Sequence, residues 1–167
     1  MTLQGRAHKY SADVNTDLIV PARCLHTDDR ASWVLHCMED IDSEFVKRVK
    51  PGDFIVAATN FGCGSSREQA PIVIKESGIS AVIAASFARI FFRNAINIGL
   101  PILESREASE ATAMGDELQV DLATGEIRNL TRRQTFSATP YPDFMRGIIE
   151  SGGLIPYTKQ QLTRSQS

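Results

Sequence analysis

Apolar residues in this chain come in short blocks separated by turns that glycine or proline marks. Phe54-Ile55-Val56-Ala57-Ala58 follows the turn pair Pro51-Gly52, and Ala81-Val82-Ile83-Ala84-Ala85 follows Ser77-Gly78. Continuous apolar runs of this kind predict strands buried on both faces. Between them, Glu68 to Glu76 has the composition of a short helix, with Gly78 as its stop. A strand, a helix and a second strand in this order predict a parallel βαβ unit. Phe87, Ile90, Phe91, Ala95 and Ile98 then fall near helical spacing, so 87–98 predicts an amphipathic helix ended by Gly99. Its polar side carries Arg89, Arg93, Asn94 and Asn97, and Leu100-Pro101-Ile102-Leu103 predicts another strand.

The flanking segments follow other patterns. Residues 3–10 predict a short strand, and Asn15-Thr16-Asp17 a polar turn that leads into Leu18-Ile19-Val20. Arg23 to Asp29 predicts a loop, and 32–38 the start of a helix with Trp33, Val34 and Cys37 on one side. The basic cluster within 45–50 predicts a solvated face. Residues 108–114 predict a short helix stopped by Gly115. Glu117 to Leu122 alternates as a half-exposed strand, Ala123-Thr124-Gly125-Glu126 is a hairpin turn, and 127–130 returns. A strand over 135–138 and a helix over 144–150, stopped by Gly152-Gly153, complete the pattern. Parallel pairing first and a hairpin later define one mixed α/β domain over 1–160, with a polar C-terminal tail over 161–167.

Length and charge narrow the picture. A chain of 167 residues is enough for one domain with a proper core. A formal net charge of −2 gives no basic footprint for nucleic acid or an anionic membrane. No apolar run approaches the roughly 20 residues of a spanning helix. The first six residues lack the apolar core of a secretory signal, so a cytoplasmic protein is expected. Cys24, Cys37 and Cys63 are odd in number and irregular in spacing, which fits a reducing compartment better than a disulfide framework. Without a C-x-x-C or H-x-x-x-H pair, the spacing predicts no metal site in this chain.

The candidate chemistry lies between the two buried strands, in Asn60-Phe61-Gly62-Cys63-Gly64-Ser65-Ser66-Arg67-Glu68-Gln69-Ala70-Pro71. Ser65 and Glu68 fit a capping box, which predicts a helix start near Ser65 or Ser66. Gly62 and Gly64 allow positive φ and close approach of a ligand. Unpaired N–H groups at a helix start attract anions. Arg67 puts a permanent cation where a helix prefers acidic residues, and its fork suits a carboxylate. Spacing alone leaves two readings open: an anion-binding turn, or a capped helix with Arg67 in solvent. The stretch is neither a Walker A loop, which needs Lys before the Ser, nor a G-x-S-x-G elbow.

Residues 60–70 closely resemble a signature of the swivelling domain of the aconitase superfamily. Ser86-Phe87-Ala88-Arg89-Ile90-Phe91-Phe92-Arg93-Asn94-Ala95, with Asn97-Ile98-Gly99-Leu100-Pro101, resembles its second signature. Asn15-Thr16-Asp17-Leu18-Ile19-Val20-Pro21-Ala22-Arg23 resembles its N-terminal one. The resemblance implies a single α/β swivelling domain that serves as the small subunit of a heteromeric hydro-lyase. The substrate class it implies is a malate-type acid such as isopropylmalate, with homoaconitate- and 2,3-dimethylmalate-type acids as alternatives. It further implies a [4Fe–4S] cluster on a large partner subunit, with none bound by this chain.

Carried over by motif, Ser65 is the catalytic base. Gly64, Ser66 and Arg67 contact the substrate, and Asp17 and Cys63 support them. Arg89 and Asn94 are expected in structural or interface contacts. Leu25-His26-Thr27 falls where the relatives select substrate. There an apolar residue suits an isopropyl group and an arginine suits an extra carboxylate; His26 matches neither. Two other classes stay open. One is a non-catalytic anion-binding module. The other is a hydrolase with Ser65 as nucleophile, which would need His8, His26 or His36 as its base.

Overall fold

The computed structural model describes residues 1–166. Its centre is a seven-stranded sheet of order β4-β3-β2-β1-β5-β6-β7. The strands are β1 (Thr2–Lys9), β2 (Phe54–Ala57), β3 (Ala81–Ala84), β4 (Ile102–Glu104), β5 (Glu117–Asp121), β6 (Glu126–Asn129) and β7 (Gln134–Ser137). β1 joins two halves. Its C-terminal part pairs parallel to β2, with Ala7 opposite Phe54, and its N-terminal part pairs antiparallel to β5, with Gly5 opposite Leu118. β2, β3 and β4 continue the parallel half. β5, β6 and β7 form the antiparallel half.

The burial pattern follows from that division. Every residue of β2 and β3 is buried, because helices cover the parallel half. β5 alternates, with Leu118 and Val120 inward and Glu117 exposed. The predicted βαβ unit is present as β2, α4 (Gln69–Glu76) and β3. α5 (Arg89–Asn97) connects β3 to β4 and buries Phe91, Ala95 and Ile96. α1 (Thr16–Ile19), α2 (Arg30–Val34) and α3 (Phe45–Arg48) are short, and α6 (Arg106–Ala111) follows β4.

Three expectations change. The helix expected from Ser65 or Ser66 starts at Gln69, and no side chain caps it. The Ser65 side chain is turned toward Thr16, with 3.3 Å between the hydroxyls, and accepts from no backbone N–H among the described residues. The polar turn expected at Asn15-Thr16-Asp17 is the start of α1, capped by Asn15, whose side chain accepts from the Leu18 N–H at 3.0 Å. The polar tail placed from 161 is the exposed end of α8 (Leu154–Ser165), which follows α7 (Asp143–Glu150); Ser167 lies outside the described residues. Pro156 does not break α8, because it sits in the first turn, where no intrahelical N–H bond is lost.

Candidate active site

The site is assembled from the loops that leave the carboxyl ends of β1, β2 and β3, where open parallel sheets place their ligands. Backbone hydrogen bonds tie these loops together. Gly62 N–H donates to Val14 C=O at 2.8 Å and Thr16 N–H to Cys63 C=O at 2.9 Å. Phe61 N–H donates to Ser86 C=O, and Ala88 N–H returns to Phe61 C=O. Asn60 donates its side-chain amide to Asp13 Oδ1 and its N–H to Ser86 Oγ. The turn is therefore fastened on both sides before any ligand arrives.

Gly62 and Gly64 both have positive φ, +81° and +91°, but for different surroundings. A Cβ on Gly62 would lie 2.2 Å from Phe91 Cγ, so this glycine is required by packing against α5. A Cβ on Gly64 would meet Asn15 Cβ at an ordinary 3.4 Å, so only its backbone conformation demands glycine.

Past Gly64 the polar groups open outward. Gly64, Ser65 and Ser66 are exposed. Their N–H groups have no acceptor among the described residues. Such a run of unpaired N–H groups offers donors to an anion even though the helix begins later. Thr16 is buried, and its hydroxyl donates to Ser65 C=O at 3.0 Å and lies 3.3 Å from Ser65 Oγ. It thus positions the catalytic candidate, a role the sequence reading missed. The available signal was a polar β-branched residue in the Asn15-Thr16-Asp17 stretch.

Arg67 does not point into solvent. Its Nη1 donates to Asp17 Oδ1 and to Val20 C=O, each at 2.7 Å, and its side chain is only 14% exposed. Its Nε and Nη2 have no acceptor among the described residues. Half of the guanidinium fork is anchored and half is available to an anion. The hydrogen bond from Arg67, then its charge, holds the Asp17 carboxyl below its ordinary range. Asp17 itself is 64% exposed on its side chain, so it orients the arginine from the rim.

The other sequence candidates are placed less directly. Cys63 is half-buried, and burial first, then Asp13, pushes its thiol up. Its carbonyl, not its sulfur, holds Thr16. Leu25 is half-buried, and His26 is exposed, with Nδ1 2.8 Å from the Arg23 carbonyl. Thr27 contributes its carbonyl to Trp33 Nε1 at 2.8 Å. No hydrogen bond links 25–27 to the glycine turn among the described residues. Arg89 is exposed and Asn94 half-buried.

The histidines do not serve Ser65. His8 pairs with Asp53, His26 turns to Arg23, and His36 pairs with Glu39. A serine-nucleophile site therefore lacks its base. The thiols also do not gather into a cluster-binding set. Cys24 faces Glu39, Cys37 lies in the core, where burial pushes its thiol up to about 12, and Cys63 lies in the turn. These donors do not fit an iron–sulfur cluster, which needs several thiolates around one centre. No helix among the described residues is long and apolar enough to cross a membrane.

Such a turn, held between the loops of a half-parallel α/β sheet, defines an aconitase-type swivelling domain. Residues 12–108 match the family described as the Aconitase C-terminal domain, and the chain belongs to that family. It is 56% identical over 164 residues to the 3-isopropylmalate dehydratase small subunit of Caldicellulosiruptor saccharolyticus, covering 98% of this chain and 95% of that protein. It is 59% identical over 157 residues to the subunit of the same name from Endomicrobium trichonymphae, covering 94% and 96%. The crystal structure of 3-isopropylmalate dehydratase from Methanocaldococcus jannaschii superimposes with a TM-score of 0.93 at 47% identity, covering 99% of each chain.

Proposed function

We propose that this chain is the small subunit of a 3-isopropylmalate dehydratase. That enzyme is a hydro-lyase of leucine biosynthesis that interconverts 2-isopropylmalate and 3-isopropylmalate by loss and return of water. It works in the cytosol with a large subunit. The shared name of near-full-length relatives supports this reading. The observation that carries it is the glycine turn, where Ser65 is held by Thr16 beside unpaired N–H groups and a half-anchored Arg67.

A [4Fe–4S] cluster carried by the large subunit would supply a Lewis acid for the departing hydroxyl. The remaining work falls to residues of this chain. The free Nε and Nη2 of Arg67 bind a substrate carboxylate as a bidentate pair. That contact fixes the acid against the turn, with the N–H groups of Gly64, Ser65 and Ser66 facing its negative charge. Ser65 accepts the proton from the carbon beside a carboxylate and returns it in the hydration direction. A serine hydroxyl is too weak an acid to supply its conjugate base unaided. Preorganised N–H donors and the Arg67 charge stabilise that oxygen, and Thr16 holds it in one orientation. The segment Leu25-His26-Thr27 completes the substrate's side-chain pocket when the large subunit docks.

The test mixes the chain with its large subunit after anaerobic cluster reconstitution. 3-Isopropylmalate, homoisocitrate and 2,3-dimethylmalate are then assayed for the conjugated alkene. The expected result is activity in the mixture only, highest with 3-isopropylmalate. Preference for either other acid would reassign the specificity. Activity of the chain alone, or none with any of the three, would overturn the proposal in favour of an anion-binding module.

A further inference from the structure

Away from the glycine turn, three side chains of different chemistry converge on one point. Cys24 ends the 3-10 turn Ala22–Cys24, while His36 and Glu39 lie in the turn after α2. Their ligand atoms all lie within 4.8 Å of one another. His36 Nδ1 is 2.7 Å from Glu39 Oε2, and Cys24 Sγ is 3.9 Å from Glu39 Oε1. Cys24 is 7% exposed, yet it packs against a carboxylate instead of apolar side chains alone. The carboxylate is itself oriented from behind. Arg23 Nη2 donates to Glu39 Oε1 at 2.7 Å, and Arg23 also bonds both oxygens of Asp40.

We propose that Cys24, His36 and Glu39 form a three-ligand site for Zn²⁺, with solvent as the fourth ligand. The donor set decides the class of ion. Sulfur, imidazole nitrogen and carboxylate oxygen together suit Zn²⁺, whereas Mg²⁺ and Ca²⁺ take oxygen ligands. Neighbouring corners of a tetrahedron with bonds of about 2.0–2.3 Å lie about 3.3–3.8 Å apart, so Cys24 and Glu39 already stand near that spacing, and His36 and Glu39 exchange their direct hydrogen bond for bonds to the ion by moving about half an ångström apart. On binding, the Cys24 thiol gives its proton to solvent, and His36 gives up the Nδ1 proton that it donates to Glu39 and carries its ring proton on Nε2, so that Nδ1 takes the metal. The Arg23 bond to Glu39 then acts as the outer hydrogen bond that metal-bound carboxylates generally receive. Occupancy fastens the root of the 25–29 segment to the turn after α2. The inference stands whether or not that segment selects substrate.

The full chain, freed of metal and without its large subunit, is titrated with Co²⁺ and then with Zn²⁺. The expected result is a single equivalent of Co²⁺ with tetrahedral visible bands and a near-ultraviolet thiolate-to-cobalt band, displaced by Zn²⁺. Cys24→Ser should lose the thiolate band and weaken Zn²⁺ by about 100-fold or more, and His36→Ala should weaken it similarly. Cys63→Ser should leave the spectrum unchanged. Circular dichroism checks that each variant is folded. Absence of the thiolate band at stoichiometric Co²⁺, or a band that survives Cys24→Ser, would overturn the site. In that case Arg23, Glu39 and His36 form a hydrogen-bonded surface cluster only.

Discussion

The two ends of β2 carry polar clusters of opposite character. At its N-terminal end, the Asp53 carboxylate is buried and fully engaged. It accepts from Arg6 N–H at 3.0 Å, from Lys50 N–H at 2.9 Å and from His8 Nε2 at 2.8 Å. Past its C-terminal end, the donors of Gly64 to Arg67 are exposed or half-buried and only partly used. A buried polar group must find its partners within the chain, so the Asp53 cluster serves the fold. Donors left unpaired on a fastened, solvent-facing turn are the ones we propose for a ligand. Proximity of polar side chains does not separate the two roles; the unused hydrogen-bonding capacity does.

Asp53→Ala should separate the ends most visibly. It leaves the buried His8 Nε2 and the part-buried N–H groups of Arg6 and Lys50 without their acceptor and should cost about 3 kcal/mol of stability, read by denaturant unfolding. The kcat of the folded, assembled enzyme should not change. Acid unfolding probes the same cluster. Burial raises the Asp53 carboxyl, but the bonds from His8, Arg6 and Lys50 outweigh it and hold the group below its ordinary range. Its contribution is therefore present above about pH 4 and is lost as pH falls through the depressed value. Asp53→Asn should flatten that acid limb of the stability curve.

Arg67→Lys tests the other end. It keeps the charge and loses the fork, so kcat/KM should fall about 30-fold, equivalent to about 2 kcal/mol, with the melting temperature nearly unchanged. Thr16→Val should have the smallest effect, lowering kcat about fivefold at constant KM by freeing the Ser65 hydroxyl. A change in KM alone would show that Thr16 shapes substrate binding and does not position Ser65.

The parallel core was legible because Phe54–Ala57 and Ala81–Ala84 are continuous apolar runs around a helical segment. The hairpin of β5 and β6 was legible from alternation and Gly125. The helix start was not. Ser65 and Glu68 satisfy the local capping pattern, but Thr16, 49 residues away, engages Ser65 instead. Arg67 was legible as a misplaced cation, whereas its anchoring to Asp17 and Val20 required two loops to meet. The Cys24, His36 and Glu39 cluster escaped for the same reason, since it joins two turns and fits no short spacing.

In the proposed mechanism Ser65 works chemically, while the fold does not depend on it. The most direct measurement is kcat of the reconstituted enzyme carrying Ser65→Ala, with thermal unfolding of the same variant. The expected result is a kcat about 10³-fold lower, a KM close to that of the parent, and stability within about 0.5 kcal/mol. A kcat within a few-fold of the parent in a folded, assembled variant would contradict it.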